Sequence, residues 1–214
     1  MKTYVVLAGN IGAGKSTLVR MMCDRLGWEP YYEPVAENPY LADFYADMGR
    51  WAFHSQVFFL TYRAQAHRAL MDVPRAVVQD RSFYEDAEVF ARALHVQGAM
   101  SDRDWETYRG LYRTLTTLLS PPDLVVYLRA SVPTLQKRIA LRGRSIETRI
   151  PDEYLSSLNA LYEEWIAGFT LSPVLIVPSD RLDFVKDSND LDLIVSTVAE
   201  RVRGRQGVLF PEKS

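Results

Sequence analysis

The sequence predicts an α/β fold: a five-stranded parallel sheet covered on both faces by helices. Two observations carry that expectation. Short, continuously apolar runs alternate along the chain with helical patterns, as strands buried on both faces of a parallel sheet require. The first run, Tyr4–Ala8, leads into Gly9-Asn10-Ile11-Gly12-Ala13-Gly14-Lys15-Ser16-Thr17, and a helical pattern follows from Ser16 to Leu26. Strand, glycine loop and helix with the spacing G-x-x-x-x-G-K-[ST] form a phosphate-binding P-loop.

The glycines let the backbone wrap closely enough for its N–H groups to face phosphate oxygens. Lys15 adds a point charge, the Ser16 hydroxyl can ligate Mg²⁺, and the helix start contributes its positive dipole end. The motif predicts a bound nucleoside triphosphate and sharpens the fold to a three-layer arrangement of the P-loop NTPase type.

The expected strands are Tyr4–Ala8, Glu29–Glu33, Ala76–Gln79, Leu124–Leu128 and Val174–Val177. After the first helix, the helical patterns run over Leu41–Met48, Arg50–Met71, Phe83–Val96, Asp102–Leu119, Val132–Leu141, Glu153–Phe169 and Leu191–Val202. Asn38-Pro39, Gly49, Gly98, Pro121-Pro122, Gly143 and Pro173 punctuate them. Ligands of such sheets collect at the carboxyl ends of the strands. Those ends read Gly9, Glu33-Pro34, Asp80-Arg81-Ser82 and Arg129, and the fifth strand leads into Pro178-Ser179-Asp180.

The 214 residues suit a single domain, residues 1–203, with a lid at about 138–150 and a polar, flexible tail over 204–214. A net charge of −2, from 25 Lys and Arg against 27 Asp and Glu, argues against a general nucleic-acid or membrane surface. The lone cysteine, Cys23, excludes an internal disulfide; among Met21, Met22 and Leu26 it reads as a small buried hydrophobe. No apolar run approaches the ~18 residues of a membrane span, and no signal-peptide pattern precedes the first strand. The expected location is the cytoplasm.

Four groups of residues bear on chemistry. Glu33 ends the second strand beside the P-loop, where a carboxylate can accept a proton from an attacking hydroxyl or serve as a solvated loop acid. Asp80 ends the third strand, the place of the acid that holds Mg²⁺ in P-loop proteins. Arg81 follows it, either as an ordinary ion pair or steadying a catalytic carboxylate and the hydroxyl being phosphorylated. Arg138 and Arg142 share a helix face, and Gly143 then throws Arg144 onward. A solvated basic face is one reading of this segment; arginines closing over transferring phosphates is the other. Gln56 and Arg63 are seven apart on one helix, and Asp86 and Phe90 four apart on another. Phe90 can stack on a flat heterocycle whose edge Gln56, Arg63 and Asp86 would read; alternatively Phe90 is plain core, and Gln56 and Arg63 a solvent face.

Together these stretches resemble the deoxyribonucleoside kinase family, over nearly the whole chain. The resemblance runs through Gly9–Thr17, Glu33-Pro34-Val35, Asn38-Pro39-Tyr40-Leu41, Tyr45, Arg50-Trp51-Ala52-Phe53 and Gln56. It continues with Asp80-Arg81-Ser82-Phe83-Tyr84-Glu85-Asp86 and Arg142-Gly143-Arg144-Ser145-Ile146-Glu147, and ends with Asp180–Phe184. The Asn-Pro-Tyr-Leu and Asp-Arg-Ser-Phe-Tyr-Glu-Asp stretches are most similar to bacterial deoxyadenosine kinases, then to deoxyguanosine kinases. One departure is Asn38, in a region where some relatives place a Trp.

The resemblance implies roles. Glu33 would be the general base for the 5′-hydroxyl, with Arg81 beside it. Asp80 and Ser16 would organise Mg²⁺. Tyr45 and Glu147 would bind the sugar 3′-hydroxyl, Gln56 the base, and Phe90 its face. Arg138, Arg142 and Arg144 would be the lid arginines, and Asp180, Arg181, Leu182, Asp183 and Phe184 the segment around the adenine of ATP. A homodimer is the usual assembly of the family, and a heteromer with a related kinase is the variant.

The expected activity is ATP- and Mg²⁺-dependent phosphorylation of the 5′-hydroxyl of a purine deoxyribonucleoside. Arg63 can donate to purine N7, and Asp86 can pin Arg63 or accept from adenine N6. The charged pair disfavours the methyl of thymine. Adenine against guanine is left open, as is cytosine or a broad specificity. A nucleoside monophosphate kinase would want more basic groups for its acceptor than Tyr45, Gln56 and Glu147 provide. A GTP switch would want an N-K-x-D-like loop, which the sequence lacks. A non-catalytic regulatory subunit would not need Lys15, Glu33, Asp80 and Arg81 together.

Overall fold

The computed structural model describes residues 3–32, 38–143 and 150–204. Five strands form one all-parallel sheet: β1 (Tyr4–Ala8), β2 (Glu29–Tyr31), β3 (Val77–Asp80), β4 (Leu124–Arg129) and β5 (Val174–Pro178), in the order β2-β3-β1-β4-β5. Alternation along the strands builds the two covering layers. Val5 and Leu7 of β1, Leu124, Val126 and Leu128 of β4, and Leu175 and Val177 of β5 enter one core. Ala8, Val125 and Tyr127 enter the other. Central strands thus carry apolar side chains to both faces, which is why their sequence reads as an unbroken apolar run.

The first face is covered by α1 (Lys15–Leu26), α7 (Val132–Arg142) and α9 (Ser188–Val202). The other is covered by α3 (Met48–Leu70), the helical run after β3, and α8 (Asp152–Gly168). That helical run comprises α4 (Phe83–Glu85), a π-helical stretch over Asp86–Ala91 and α5 (Arg92–Val96). Two further helices, α2 (Leu41–Ala46) and α6 (Asp102–Leu118), complete the chain. Cys23 is buried in the first core, as its neighbours suggested.

β2 ends at Tyr31, short of the expected Glu33, and two helix boundaries differ from expectation for local reasons. Gly49 does not separate α2 from α3: Asp47 does, its carboxylate accepting from the Arg50 N–H at 3.1 Å, so Gly49 lies inside the first turn of α3. The last helix starts at Ser188 rather than Leu191 because Asp187 caps it, accepting from the Asn189 N–H at 2.8 Å.

Beneath β1, His67 is fully buried between the Tyr4 hydroxyl (3.1 Å from Nδ1) and the Ser120 carbonyl (2.8 Å from Nε2). A carbonyl only accepts, so Nε2 carries a proton toward Ser120, while the Tyr4 hydroxyl beside Nδ1 also hydrogen-bonds Gln79 Oε1. Burial lowers the His67 pKa, with the Ser120 bond opposing in part. A histidine whose folded pKa is depressed contributes full stability above its unfolded value and loses it as pH falls. Stability is therefore expected to decline below about pH 6.5, by up to about 1.4 kcal/mol per pH unit. Urea midpoints at pH 8 and pH 5 check this: His67→Gln should show a smaller loss between the two than the wild type.

Candidate active site

The P-loop is a rigid wall. Its glycines adopt positive φ, +82° at Gly12 and +98° at Gly14. A Cβ at Gly12 would lie 2.8 Å from both Ile139 Cγ1 and the Leu135 carbonyl, so the loop packs directly on α7. Asn10 is buried and pins the loop to α8. Its amide donates to the Leu155 carbonyl (3.0 Å) and Asn159 Oδ1 (2.8 Å), and its Oδ1 accepts from the Ile11 N–H (2.7 Å).

Lys15 is buried, with Nζ donating to the carbonyls of Gly9 (2.7 Å) and Asn10 (3.1 Å). Burial and then the Arg81 charge lower its pKa to about 8, against the opposing pull of Asp80 and Glu85. A cation so poorly compensated favours an incoming phosphate. At the next position the Ser16 hydroxyl donates to Asp80 Oδ2 at 2.5 Å. A hydroxyl beside a carboxylate at the mouth of a P-loop is a donor set that fits Mg²⁺ whose remaining ligands are phosphate oxygens and water.

Arg81 leaves the end of β3 with φ +69°, a left-handed conformation costly for a side chain other than glycine. Its N–H continues the ladder to the Leu7 carbonyl at 3.0 Å. The guanidinium lies over the Phe90 ring, 4.3 Å from its centroid, with Nε 3.9 Å from Glu85 Oε1. Phe90 is half-buried and meets Tyr162 edge-on, so one face of its ring is already engaged by Arg81.

The arginines of α7 divide. Arg138 bridges the P-loop to the exit of β5, donating to the carbonyls of Ala13 (2.8 Å) and Ser179 (2.9 Å). It is a strut of the loop as well as a cation near it. Arg142, one turn on, is exposed. Beyond β5, Leu182 and Phe184 are buried in the core, and Phe184 lies 3.2 Å from where a Gly14 Cβ would stand. Asp180 accepts from the Ser131 N–H and hydroxyl at 2.9–3.1 Å; burial raises its pKa, but these bonds, one to Thr134, and Arg138 outweigh that and lower it. Asp183 and Arg181 are exposed. The Asp180–Phe184 segment thus packs against the P-loop with alternate side chains turned inward.

The residues expected at the base are brought together on α3 and the π-helical stretch. Gln56 and Arg63 are both buried, which rules out the solvent-face reading. Arg63 and Asp86 form an ion pair with only 5% and 3% of their side chains exposed. Among the described residues, Gln56 Oε1 and Asp86 Oδ2 are buried without a hydrogen-bond partner. Orphaned acceptors of this kind are costly unless a ligand supplies donors. Asn38 is also buried here and ties the start of α2 to α3, donating to Ser55 Oγ at 3.0 Å and accepting from the Tyr40 N–H at 3.0 Å. Tyr45 is exposed on α2. Glu33, Arg144 and Glu147 lie outside the described residues, as do residues 144–149 of the expected lid and 205–214 of the expected tail.

Two residues were missed by sequence reasoning. Glu85, fully buried, accepts at Oε1 from the Gly9 N–H (3.2 Å) and the Tyr162 hydroxyl (2.7 Å) and at Oε2 from the Ser82 N–H (3.2 Å). Tyr162 of α8, also fully buried, is 2.8 Å from the Gly9 carbonyl. The Ser82-x-x-Glu85 spacing of a capping box was a usable signal for the first; no local pattern marks the second.

What meets at the carboxyl edge of the sheet is a P-loop, a hydroxyl and carboxylate able to hold a cation, and an arginine laid on Phe90 beside Glu85. That apparatus defines the class, a P-loop phosphotransferase. A family model described as deoxynucleoside kinase matches residues 5–203, and the chain belongs to that family. It is 36% identical over 206 residues to a deoxyadenosine/deoxycytidine kinase of Bacillus subtilis, covering 95% of each chain. A deoxyguanosine kinase of the same organism is 32% identical, over 93% of this chain and 97% of the relative. The structure of a deoxyadenosine kinase from M. mycoides, solved with the products dCMP and a flexible dCDP bound, superposes with a TM-score of 0.81 at 32% identity, covering 92% of this chain and all of that one.

Proposed function

We propose that the protein transfers the γ-phosphoryl group of ATP, or another nucleoside triphosphate, to the 5′-hydroxyl of a purine deoxyribonucleoside, deoxyadenosine before deoxyguanosine. The observation that carries the acceptor is the buried Arg63–Asp86 pair with Gln56 Oε1 and Asp86 Oδ2 lacking donors among the described residues. An exocyclic amino group, such as adenine N6–H₂, supplies the donors they lack, and Arg63 suits purine N7. The relatives that act on deoxyadenosine and deoxyguanosine support the same reading.

In this reading Glu33 takes the proton of the 5′-hydroxyl as its oxygen attacks the γ-phosphorus and the bond to the β-phosphate oxygen breaks. Lys15, Arg81, Arg138, Arg142 and Arg144 hold the charge that spreads over the transferring group. Catalysis is mostly positioning and electrostatics. Ser16 and Asp80 would hold Mg²⁺, which when bound neutralises charge on the phosphates. Tyr45 and Glu147 would hold the sugar 3′-hydroxyl. Residues 1–203 act as one domain, with about 138–150 as its lid. The protein works in the cytoplasm; among the described residues no helix is long and apolar enough to cross a membrane.

A homodimer fits the amphipathic α6, which buries Tyr108 and leaves Leu111 and Leu118 exposed. A sedimenting species of twice the 24.5 kDa chain is the expected form.

The acceptor atom is tested with 2′,5′-dideoxyadenosine, which lacks only the reacting hydroxyl. It is expected to inhibit phosphorylation of deoxyadenosine competitively and to give no product of its own. A phosphorylated product from it would place the transfer at another position.

A further inference from the structure

Glu85 is more costly than helix capping requires. To reach back to the Ser82 N–H, a neutral Gln would serve as well. Burying a carboxylate costs several kcal/mol unless charges and hydrogen bonds offset it. Yet Glu85 is fully buried, and its second oxygen crosses from the β3 exit to the P-loop. There it meets the Gly9 N–H, the Tyr162 hydroxyl and the flank of Arg81, 3.9 Å from Nε.

Tyr162 extends the connection. Its hydroxyl stands between Glu85 Oε1 at 2.7 Å and the Gly9 carbonyl at 2.8 Å, and that carbonyl accepts from Lys15 Nζ at 2.7 Å. Burial and the neighbouring Glu85 hold the phenol protonated, so it is a permanent donor. A continuous chain therefore links Arg81, Glu85, Tyr162, Gly9 and Lys15. Its buried carboxylate acts on both cations, Arg81 at 3.9 Å and Lys15 through its charge.

We propose that Glu85 and Tyr162 are positioning residues that hold the Arg81 guanidinium and the first turn of the P-loop in fixed relation before either substrate binds. Glu85 acts through Arg81 and offsets the repulsion between Arg81 and Lys15. Tyr162 shares its one proton between the Glu85 carboxylate and the Gly9 carbonyl, and that carbonyl in turn accepts from Lys15. Arrangement of this kind lowers the reorganisation needed in the transition state. The inference rests on the phosphoryl-transfer reading of the site.

The test compares wild type, Glu85→Gln and Tyr162→Phe in steady-state phosphorylation of deoxyadenosine by ATP with Mg²⁺, with the folded fraction measured by circular dichroism. Glu85→Gln keeps an oxygen for the Ser82 N–H but loses the charge; its kcat per folded molecule is expected to fall at least tenfold. Tyr162→Phe keeps the charge but removes the one proton shared between Glu85 and the Gly9 carbonyl; its KM for ATP is expected to rise at least fivefold, with a smaller change in kcat. Kinetic constants within threefold of wild type in both folded variants would overturn the proposal. So would activity lost only in proportion to the unfolded fraction, with KM unchanged. An inactive wild type would instead refute the phosphoryl-transfer reading itself.

Discussion

Arg81→Ala is expected to lower kcat by about 10²–10³-fold while leaving the protein folded, the scale on which a fixed donor to developing charge contributes. The reason is geometric. The guanidinium is laid on Phe90, flanked by Glu85, and carried on a backbone at φ +69° that costs roughly 1–2 kcal/mol for any residue with a Cβ. Strain of this kind at a strand exit persists where the surrounding structure over-determines it. Arg81→Lys should recover little, because a point ammonium cannot reproduce a planar group stacked on a ring. Arg81→Gly separates the two effects. It should be as inactive as Arg81→Ala yet unfold at a higher temperature, since glycine accepts the left-handed conformation without penalty. Steady-state kinetics and calorimetry on the three variants decide the matter, and an Arg81→Ala kcat within threefold of wild type would remove Arg81 from the chemistry.

Asp86→Ala is expected to cost about 3–5 kcal/mol of stability, because it strands the Arg63 charge in a site with 5% of that side chain exposed. At roughly 2–4 °C per kcal/mol for a chain of this size, Tm should fall by about 6–20 °C. Phosphorylation of deoxyadenosine should fall with it, since one of the acceptors lacking a donor among the described residues is lost. Replacing Arg63 and Asp86 together by Leu removes both charges, so stability should return toward wild type while deoxyadenosine phosphorylation stays low. Scanning calorimetry on the single and double variants checks the sign: a double variant less stable than Asp86→Ala would mean that the pair is not the source of the cost.

Much of this architecture was legible because it rests on local rules. Four of the five strands follow from continuous apolar runs, and the P-loop from its glycines and Lys15; β2, Glu29-Pro30-Tyr31, carries only a weak signal of that kind. The placement of Asp80 and Arg81 at a strand end follows from the apolar run before them. The facing of Gln56 with Arg63 follows from seven-residue spacing on α3. What local rules could not supply is what each face meets. Gln56 and Arg63 read equally as solvent or base contacts until the helix after β3 is seen to bury them. The π-helical winding of Asp86–Ala91 is set by tertiary packing, and nothing in those six residues announces it. Arg138 also serves as a strut of the P-loop through its hydrogen bonds to Ala13 and Ser179, a second role that its helix spacing does not reveal. Within the Asp180–Phe184 segment, Leu182 and Phe184 turn their side chains into the core, which its sequence does not announce. Tyr162 is 153 residues from the Gly9 carbonyl it contacts, a separation no spacing rule reaches.

On the proposed function, this P-loop site phosphorylates purine deoxyribonucleosides. The direct measurement is transfer of labelled phosphate from ATP, with Mg²⁺, to deoxyadenosine, deoxyguanosine, deoxycytidine and thymidine, each offered singly to the purified protein. 5′-Monophosphate is expected from both purine deoxynucleosides, with kcat/KM highest for deoxyadenosine and lowest for thymidine. Phosphorylation of none of the four, or a preference for thymidine, would contradict the proposed function.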